Sequence, residues 1–397
     1  MFARALTPFL RDAAAQNPVV TLIGPRQSGK TTLARATFPD LAYVSLETPD
    51  VRLEANEDPR GFLARLGNGA ILDEVQRAPD LPSYLQEIVD RDPRPGRFVL
   101  TGSQNLLLMD RVSQSLAGRT AIARLLPLTL AELEARTTID PSSLDAEPGA
   151  SDPPHHDLWQ LLFSGLYPRI HDRSLDPARW LADYFATYVE RDLREVLRVL
   201  DLAAFERFVR LAAARTGQEL SLSSLGEDAG ITQPTARQWM TALEIAFIAK
   251  LIPPHHENFG KRLRRRPKLF FLDTGLVCLL LGIQSAETLS RHPLRGAIFE
   301  TFVAGELLKA FANRGREAPL YFWRDATGHE IDFVLDLGDR RVGIEVKVAQ
   351  TFGSHMTDGL RWWRALKGNE RSSGVLIHGG DRPSTRDGLV VRPWFLA

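Results

Sequence analysis

Short apolar runs alternate with amphipathic stretches along the first third of the chain. The runs are Val19–Ile23, Ala42–Leu46, Ala70–Leu72, Phe98–Thr101 and Ala121–Leu125. Brief apolar runs bounded by turn residues read as buried strands, and strands that alternate with helices predict a parallel sheet covered on both faces. A Pro-, Asp- and Ser-rich stretch from Thr137 to His156 has neither period and predicts a linker or exposed loop. From Asp157 to about Gly282 the apolar positions move to helical spacing: Trp180, Tyr184 and Tyr188, then Leu193, Val196 and Leu197, then Phe205, Phe208 and Leu211. From about Arg295 a helix precedes strand-like runs at Leu320–Trp323, Ile331–Leu335, Val342–Val348, Val375–His378 and Leu389–Val391. The pattern therefore predicts an α/β chain in four pieces: a parallel-sheet domain at 1–136, a linker at 137–156, a helical domain at 157–290 and a small α/β domain at 291–397.

The first run leads into Gly24-Pro25-Arg26-Gln27-Ser28-Gly29-Lys30-Thr31, which fits G-x-x-x-x-G-K-[ST] without a deviation, and Thr32 continues into a good helix former. A glycine-bearing loop between a strand and a helix turns backbone N–H groups toward phosphate oxygens, and the helix start adds its positive dipole end. Lys30 is expected to reach the β- and γ-phosphates of ATP, and Thr31 to ligate Mg2+. The run Ala70-Ile71-Leu72-Asp73-Glu74 ends in two carboxylates where open parallel sheets bind ligands. Asp73 is expected to hold the Mg2+ shell and Glu74 to act as general base. Ser103 and Gln104 end the next strand, where they could sense the γ-phosphate or position the attacking water, or simply form a turn. Arg119 follows a small-residue turn and is a candidate arginine finger for a neighbouring subunit, with Arg111 as a rival and a plain surface arginine as the alternative.

In the middle segment, Ser221 to Leu243 reads as helix, turn, helix, with Gly230 at the turn, Thr232 as N-cap and Pro234 in the first turn of the second helix. Gln233, Thr235 and Arg237 would then line the exposed start of a recognition helix. A hairpin after it carries Lys261, Arg262, Arg264, Arg265, Arg266 and Lys268, the densest basic cluster of the chain, and each could neutralise a DNA phosphate. The alternative is a helix pair for protein contacts beside a solvated basic hairpin. In the last segment, strand alternation puts Glu345 and Lys347 on one face, and Asp332 on the neighbouring run can converge with them. Two carboxylates and a lysine can hold a second Mg2+ or a Mn2+ and activate water on a phosphodiester. The alternative is a neutralised structural cluster.

Composition narrows the classes. Apolar residues form 44% of 397, enough for ordinary cores. Lys+Arg and Asp+Glu balance at 49 each, so a nucleic-acid site must be a local patch. A single cysteine excludes an internal disulfide, and the nine histidines lack metal-ligand spacing and read as loop residues. The first residues have no apolar core of a signal peptide, and the most apolar stretch, Leu269 to Ile283, is too short for a bilayer. The expectation is a soluble, cytoplasmic chain without membrane partners.

The Walker pair, the Leu-Thr-Gly-Ser-Gln strand end, the Leu116–Glu132 run, Gly165-Leu-Tyr-Pro168, Tyr188-Val-Glu-Arg-Asp192 and Pro267-Lys-Leu-Phe-Phe-Leu-Asp-Thr-Gly275 resemble one group. These are the AAA-type ATPases of bacteria and archaea that carry a conserved C-terminal domain of uncharacterised function. The resemblance implies an AAA+ core, a winged-helix middle and a restriction-endonuclease-like end, assembled as a hexameric ring. The last segment is similar to the PD-(D/E)-x-K nucleases, with Asp332, Glu345 and Lys347 in the motif positions and Glu300 matching the extra helix acid of resolvase-like members. Ile331 departs from that motif, where proline is usual. The resolvase analogy implies a motor on branched DNA such as Holliday junctions. An ATP-controlled binding switch, a metal-dependent nuclease coupled to the ATPase and a signalling ATPase with a protein client are the alternatives.

Overall fold

A computed structural model of the chain describes residues 2–103, 114–149, 152–190, 201–255, 266–325, 327–366 and 368–396. Its first sheet has β1 (Val19–Gly24), β2 (Ala42–Ser45), β3 (Ala70–Asp73), β4 (Phe98–Ser103) and β5 (Thr120–Arg124) in the order β2-β3-β4-β1-β5, all parallel. Every residue of β1 and β3 is buried, which is why these runs are continuously apolar rather than alternating. Leu10 and Ala13 of helix Thr7–Gln16 and Leu33 of helix Lys30–Thr37 cover one face. Phe62, Leu81, Leu85 and Val89, from helices Pro59–Arg65 and Leu81–Arg91, cover the other. Parallel strands bring all their carboxyl ends to one edge, so Gly24, Asp73 and Ser103 lie there together.

The middle segment runs helix Leu202–Ala213, β6 (Gln218–Glu219), helix Leu222–Ala229, helix Gln233–Ile245, β7 (Ala249–Ile252) and β8 (Lys268–Phe271). The three strands form an antiparallel sheet in the order β6-β8-β7. Gly230 closes the shorter helix at φ 75°, and Thr232 Oγ1 accepts from the Thr235 N–H. Trp239 packs edge-on against Phe205 and Phe208, at 5.2 and 5.4 Å between ring centres.

Helix Arg295–Ala312 opens the last segment and packs on a mixed sheet of order β13-β14-β12-β11-β10-β9. Its strands are β9 (Leu320–Arg324), β10 (Glu330–Asp336), β11 (Arg341–Lys347), β12 (Ser372–His378), β13 (Ser384–Arg386) and β14 (Leu389–Pro393). Helix Asp358–Arg364 covers the opposite face through Leu360 and Trp363. One core runs through the middle and last segments and takes in the end of the first, from Leu128 to Phe395.

Two expectations need correcting. The stretch read as a linker or exposed loop is mostly exposed or half-buried but is tied down at one point: Leu144 is buried in the shared core, and the Arg392 guanidinium donates to the carbonyls of Leu144 (2.6 Å) and Ala146 (2.8 Å). A buried arginine pays back its desolvation by binding backbone carbonyls that lack strand partners. The histidines are not all loop residues either. His171 sits in helix Pro168–Asp172, His378 ends β12, and buried His255 meets Asp336 at 3.1 Å. Among the described residues, no helix is long and apolar enough to cross a membrane.

Candidate nucleotide site and a second charged cluster

The loop from Gly24 to Gly29 is built for close backbone approach. A Cβ on Gly24 would meet the Leu125 carbonyl oxygen at 2.1 Å, so only glycine fits. Pro25 and Arg26 carry the chain out of β1. Gln27 (φ 64°) and Gly29 (φ 93°) then adopt left-handed backbone that curls it back to the helix start. Ser28 turns inward, its hydroxyl donating to the Pro25 carbonyl at 2.9 Å, while its own carbonyl accepts from Arg4 Nη1 at 2.8 Å. The Lys30 ammonium donates to the carbonyls of Gly24 (3.0 Å) and Pro25 (2.9 Å). Burial lowers that ammonium to about 8, against the pull of Glu74 and Asp73. Thr32 follows in the first helical turn.

Asp73, at the end of β3, is a hub of hydroxyl contacts. Thr31 Oγ1 lies 3.0 Å from both its carboxylate oxygens, the Tyr43 hydroxyl donates at 2.8 Å, and Thr101 adds a further bond. Burial and the Asp73 hydrogen bond raise the Tyr43 phenol above its usual value. Glu74 has left-handed backbone at φ 57°, uncommon outside glycine, and its carboxylate accepts from the Gln76 amide. Tyr43 and Gln76 escaped the sequence reading because they belong to no motif, and Thr101, although inside the Leu-Thr-Gly-Ser-Gln strand end, was given no role there. The strand register was the available signal, since Ser45 pairs with Asp73 and Leu72 with Leu100.

Ser103 ends β4 opposite Gly24. Gln104 and Arg111 lie outside the described residues. Arg119 precedes β5, and its carbonyl accepts from the Val19 N–H, which places it at the amino edge of the sheet. A six-residue strand spans about 20 Å, so Arg119 is far from its own P-loop. Its guanidinium holds Asp90 through two bonds, at 2.5 and 2.9 Å. In the middle segment, Gln233 and Arg237 are exposed on the second helix, Thr235 is half-buried and Arg266 is exposed. Lys261, Arg262, Arg264 and Arg265 lie outside the described residues.

The C-terminal residues picked from sequence do converge. Asp332 accepts from the Val346 N–H at 2.8 Å, which pins β10 to β11, and the Lys347 ammonium lies 2.8 Å from Glu345 and 3.8 Å from Asp332. Glu300 enters from helix Arg295–Ala312, where it meets a residue from another segment: Lys268, at 3.3 Å. Lys268 also contacts Glu330 and lies 5.4 Å from the centre of the Phe322 ring. This corrects the reading of Lys268 as a phosphate-facing base, since it is 4% exposed. Every residue of β8 is buried, so strand alternation offers its ammonium no route to water and a carboxylate partner is required. Burial, then the charge of Asp332, pushes both Glu300 and Glu345 above the ordinary carboxylate range. Among the described residues, no group of three or more His, Cys, Asp or Glu side chains is arranged to hold a metal ion.

Helix Arg295–Ala312 is linked to the P-loop indirectly, through the run from Leu128 to Glu132 and Arg4. Lys309 donates to the Leu128 carbonyl (2.9 Å) and pairs with Glu306 (3.2 Å), which accepts from the Leu130 N–H (2.9 Å). Two residues on, Glu132 accepts from the Ala5 N–H and from Arg4 Nε, whose other nitrogen holds the Ser28 carbonyl.

The parallel sheet with its glycine-bearing loop defines an AAA-type P-loop ATPase fold. The family described as "AAA domain" matches residues 16–134, and two described as domains of unknown function, DUF8612 and DUF4143, match 155–287 and 295–395. Uncharacterized proteins of Mycobacterium tuberculosis and Mycobacterium bovis are each 36% identical over 346 residues, which is 86% of this chain and 73% of theirs. The chain belongs to their family, one of AAA-type P-loop ATPases. Among solved structures, a Walker-type ATPase of Pyrococcus abyssi is similar at TM-score 0.41 and 15% identity, over 69% of this chain and 94% of that one. RuvB of Thermotoga maritima is similar at TM-score 0.31 and 22% identity, over 62% and 86%.

Proposed function

We propose that this chain hydrolyses ATP and works as a DNA-associated motor, of the kind that acts on branched DNA such as Holliday junctions. The observation that carries the ATPase part is the meeting of Lys30, Thr31 and Asp73 at the carboxyl edge of β1 and β3. The loop fits a nucleotide, because its glycine cradle excludes a Cβ and its lysine rests on carbonyls that can release it. Mg2+ would be held by Thr31 and Asp73 and would neutralise phosphate charge. Lys30 would leave the Gly24 and Pro25 carbonyls for the phosphates. Glu74 would take the proton of the attacking water once Gln76 releases or reorients its carboxylate. Arg119, remote from its own loop, would serve a neighbouring subunit in a ring, after exchanging Asp90 for phosphate.

The DNA part rests on the middle segment. Helix, strand, helix, turn, helix and a strand pair is the element order of a winged helix, with Gln233, Thr235 and Arg237 at the start of the second helix of the turn. Turnover of the purified chain with duplex, single-stranded and four-way-junction DNA tests it. Junction DNA is expected to stimulate most, and turnover indifferent to all three would contradict a DNA role.

A second reading keeps the ATPase and makes the C-terminal sheet a binding platform that ATP controls. It is supported by the lysines among the C-terminal carboxylates, which take up the charge a nuclease would spend on metal. Strand transport or unwinding would favour the motor over this switch.

A further inference from the structure

We infer that Arg4 is a positioning residue of the nucleotide site: its guanidinium holds the peptide between Ser28 and Gly29 in the orientation that offers the Gly29 N–H to phosphate. The inference rests on the ATPase reading above and adds a residue that the G-x-x-x-x-G-K-[ST] pattern does not contain. Arg4 precedes helix Thr7–Gln16, yet its side chain is only 6% exposed. Nη1 donates to the Ser28 carbonyl at 2.8 Å, and Nη2 donates to the Leu126 carbonyl, beyond β5, at 2.7 Å. Nε donates to Glu132 at 3.1 Å. A guanidinium is a planar fork with its donors in fixed directions, so these bonds set one another's geometry.

Glu132 keeps the fork from turning. It is buried, and its carboxylate also accepts from the Ala5 N–H at 2.8 Å and the Thr129 N–H at 2.9 Å. The peptide that the fork holds is one that could otherwise turn over. Gly29 sits at φ 93°, and a glycine lets the peptide plane before it rotate at little steric cost. In a trans peptide the C=O and the N–H point to opposite sides. Holding the Ser28 carbonyl on Arg4 therefore turns the Gly29 N–H away from Arg4, to the side a phosphate would occupy. A flipped plane would present a carbonyl oxygen there and repel the anion.

Mg2+-ATP titration and steady-state turnover of the full chain test this. Arg4→Met, shown folded by circular dichroism, is expected to bind Mg2+-ATP roughly 10–100-fold more weakly, the range for losing hydrogen bonds to a charged group that hold one loop form. Its kcat is expected to stay near that of wild type, because bound nucleotide itself selects the competent plane. Arg4→Lys keeps the charge beside Glu132 but cannot span both carbonyls, and its affinity is expected to fall between the two. Leu10→Val loosens the same helix on the sheet without touching the guanidinium. It is expected to lower unfolding stability and leave affinity and kcat unchanged. Wild-type affinity in folded Arg4→Met would overturn the inference and leave the ATPase reading standing, and so would equal weakening in Leu10→Val. Wild type that binds no Mg2+-ATP would remove the ATPase reading and the inference together. Should Arg4→Met not fold, Arg4→Lys decides alone, weaker binding supporting the inference and wild-type affinity overturning it.

Discussion

At the P-loop, the Lys30 ammonium rests on two backbone carbonyls while Asp73 is held by the hydroxyls of Thr31, Tyr43 and Thr101. In the C-terminal cluster the ammoniums of Lys268 and Lys347 lie directly on carboxylates. Hydroxyls orient a carboxylate without cancelling its charge, whereas an ammonium cancels it. One centre therefore keeps its charge for an incoming cation and the other has used it. The same residue types, acid beside lysine, give opposite capacities because of which partner each lysine is given.

The largest effect is expected at Arg119. If it completes a neighbour's site, Arg119→Ala should lower hydrolysis by roughly 10³-fold or more with nucleotide affinity little changed. Mixing it with Lys30→Ala should then restore activity. A chain that light scattering finds monomeric with ATP bound, yet fully active, would remove the trans role.

Next comes the buried pair on the helix between the two centres. Lys309→Met strips Glu306 of its cation while both remain buried, a change that costs about 3–5 kcal/mol when one partner of such a pair is lost. Denaturant unfolding should show it in the first transition. A loss below about 1 kcal/mol would mean that Glu306 simply takes up a proton, which its burial already favours.

The contrast between centres is sharpened by parallel substitutions. Asp73→Asn should lower Mg2+-dependent turnover by about 10–100-fold, the usual cost of disturbing a supporting metal shell. Asp332→Asn should leave turnover unchanged. Equal losses from both would mean that the C-terminal centre takes part in hydrolysis.

The smallest effect is in pH. With the nucleotide-free Lys30 ammonium at about 8, phosphate contacts raise its pKa on binding. Below that pH the lysine is charged in both states and affinity is flat. Above it, binding must take up a proton, so ATP affinity falls by up to about tenfold per pH unit until the bound-state value is passed. Nucleotide titrations in buffers spanning that range would show it, and affinity that stays flat to about pH 9.5 would contradict it.

Much of this was legible in advance, and unevenly. The five strands of the first sheet follow the apolar runs within a residue or two: β1 and β3 are buried along their whole length and read as continuous runs, and the edge strands β2 and β5, only partly buried, still keep enough apolar residues to be seen. The P-loop and the Asp73-Glu74 strand end were legible for the same reason, as local patterns. Polar β13, Ser-Thr-Arg at a sheet edge, carried no apolar signal. Lys268 looked like one more base in a basic run, and only a partner 32 residues away shows why it is buried. The tie at Leu144 was hidden likewise, its carbonyl waiting for Arg392 far along the chain.

The central claim is that Glu74 does the chemistry at a site that Lys30, Thr31 and Asp73 only bind and orient. The direct measurement is ATP binding and turnover by purified Glu74→Gln beside wild type, with Mg2+ present. The account predicts unchanged nucleotide affinity and nearly complete loss of hydrolysis, since the amide keeps the shape and removes the base. Glu74→Gln turning over ATP at the wild-type rate would contradict it.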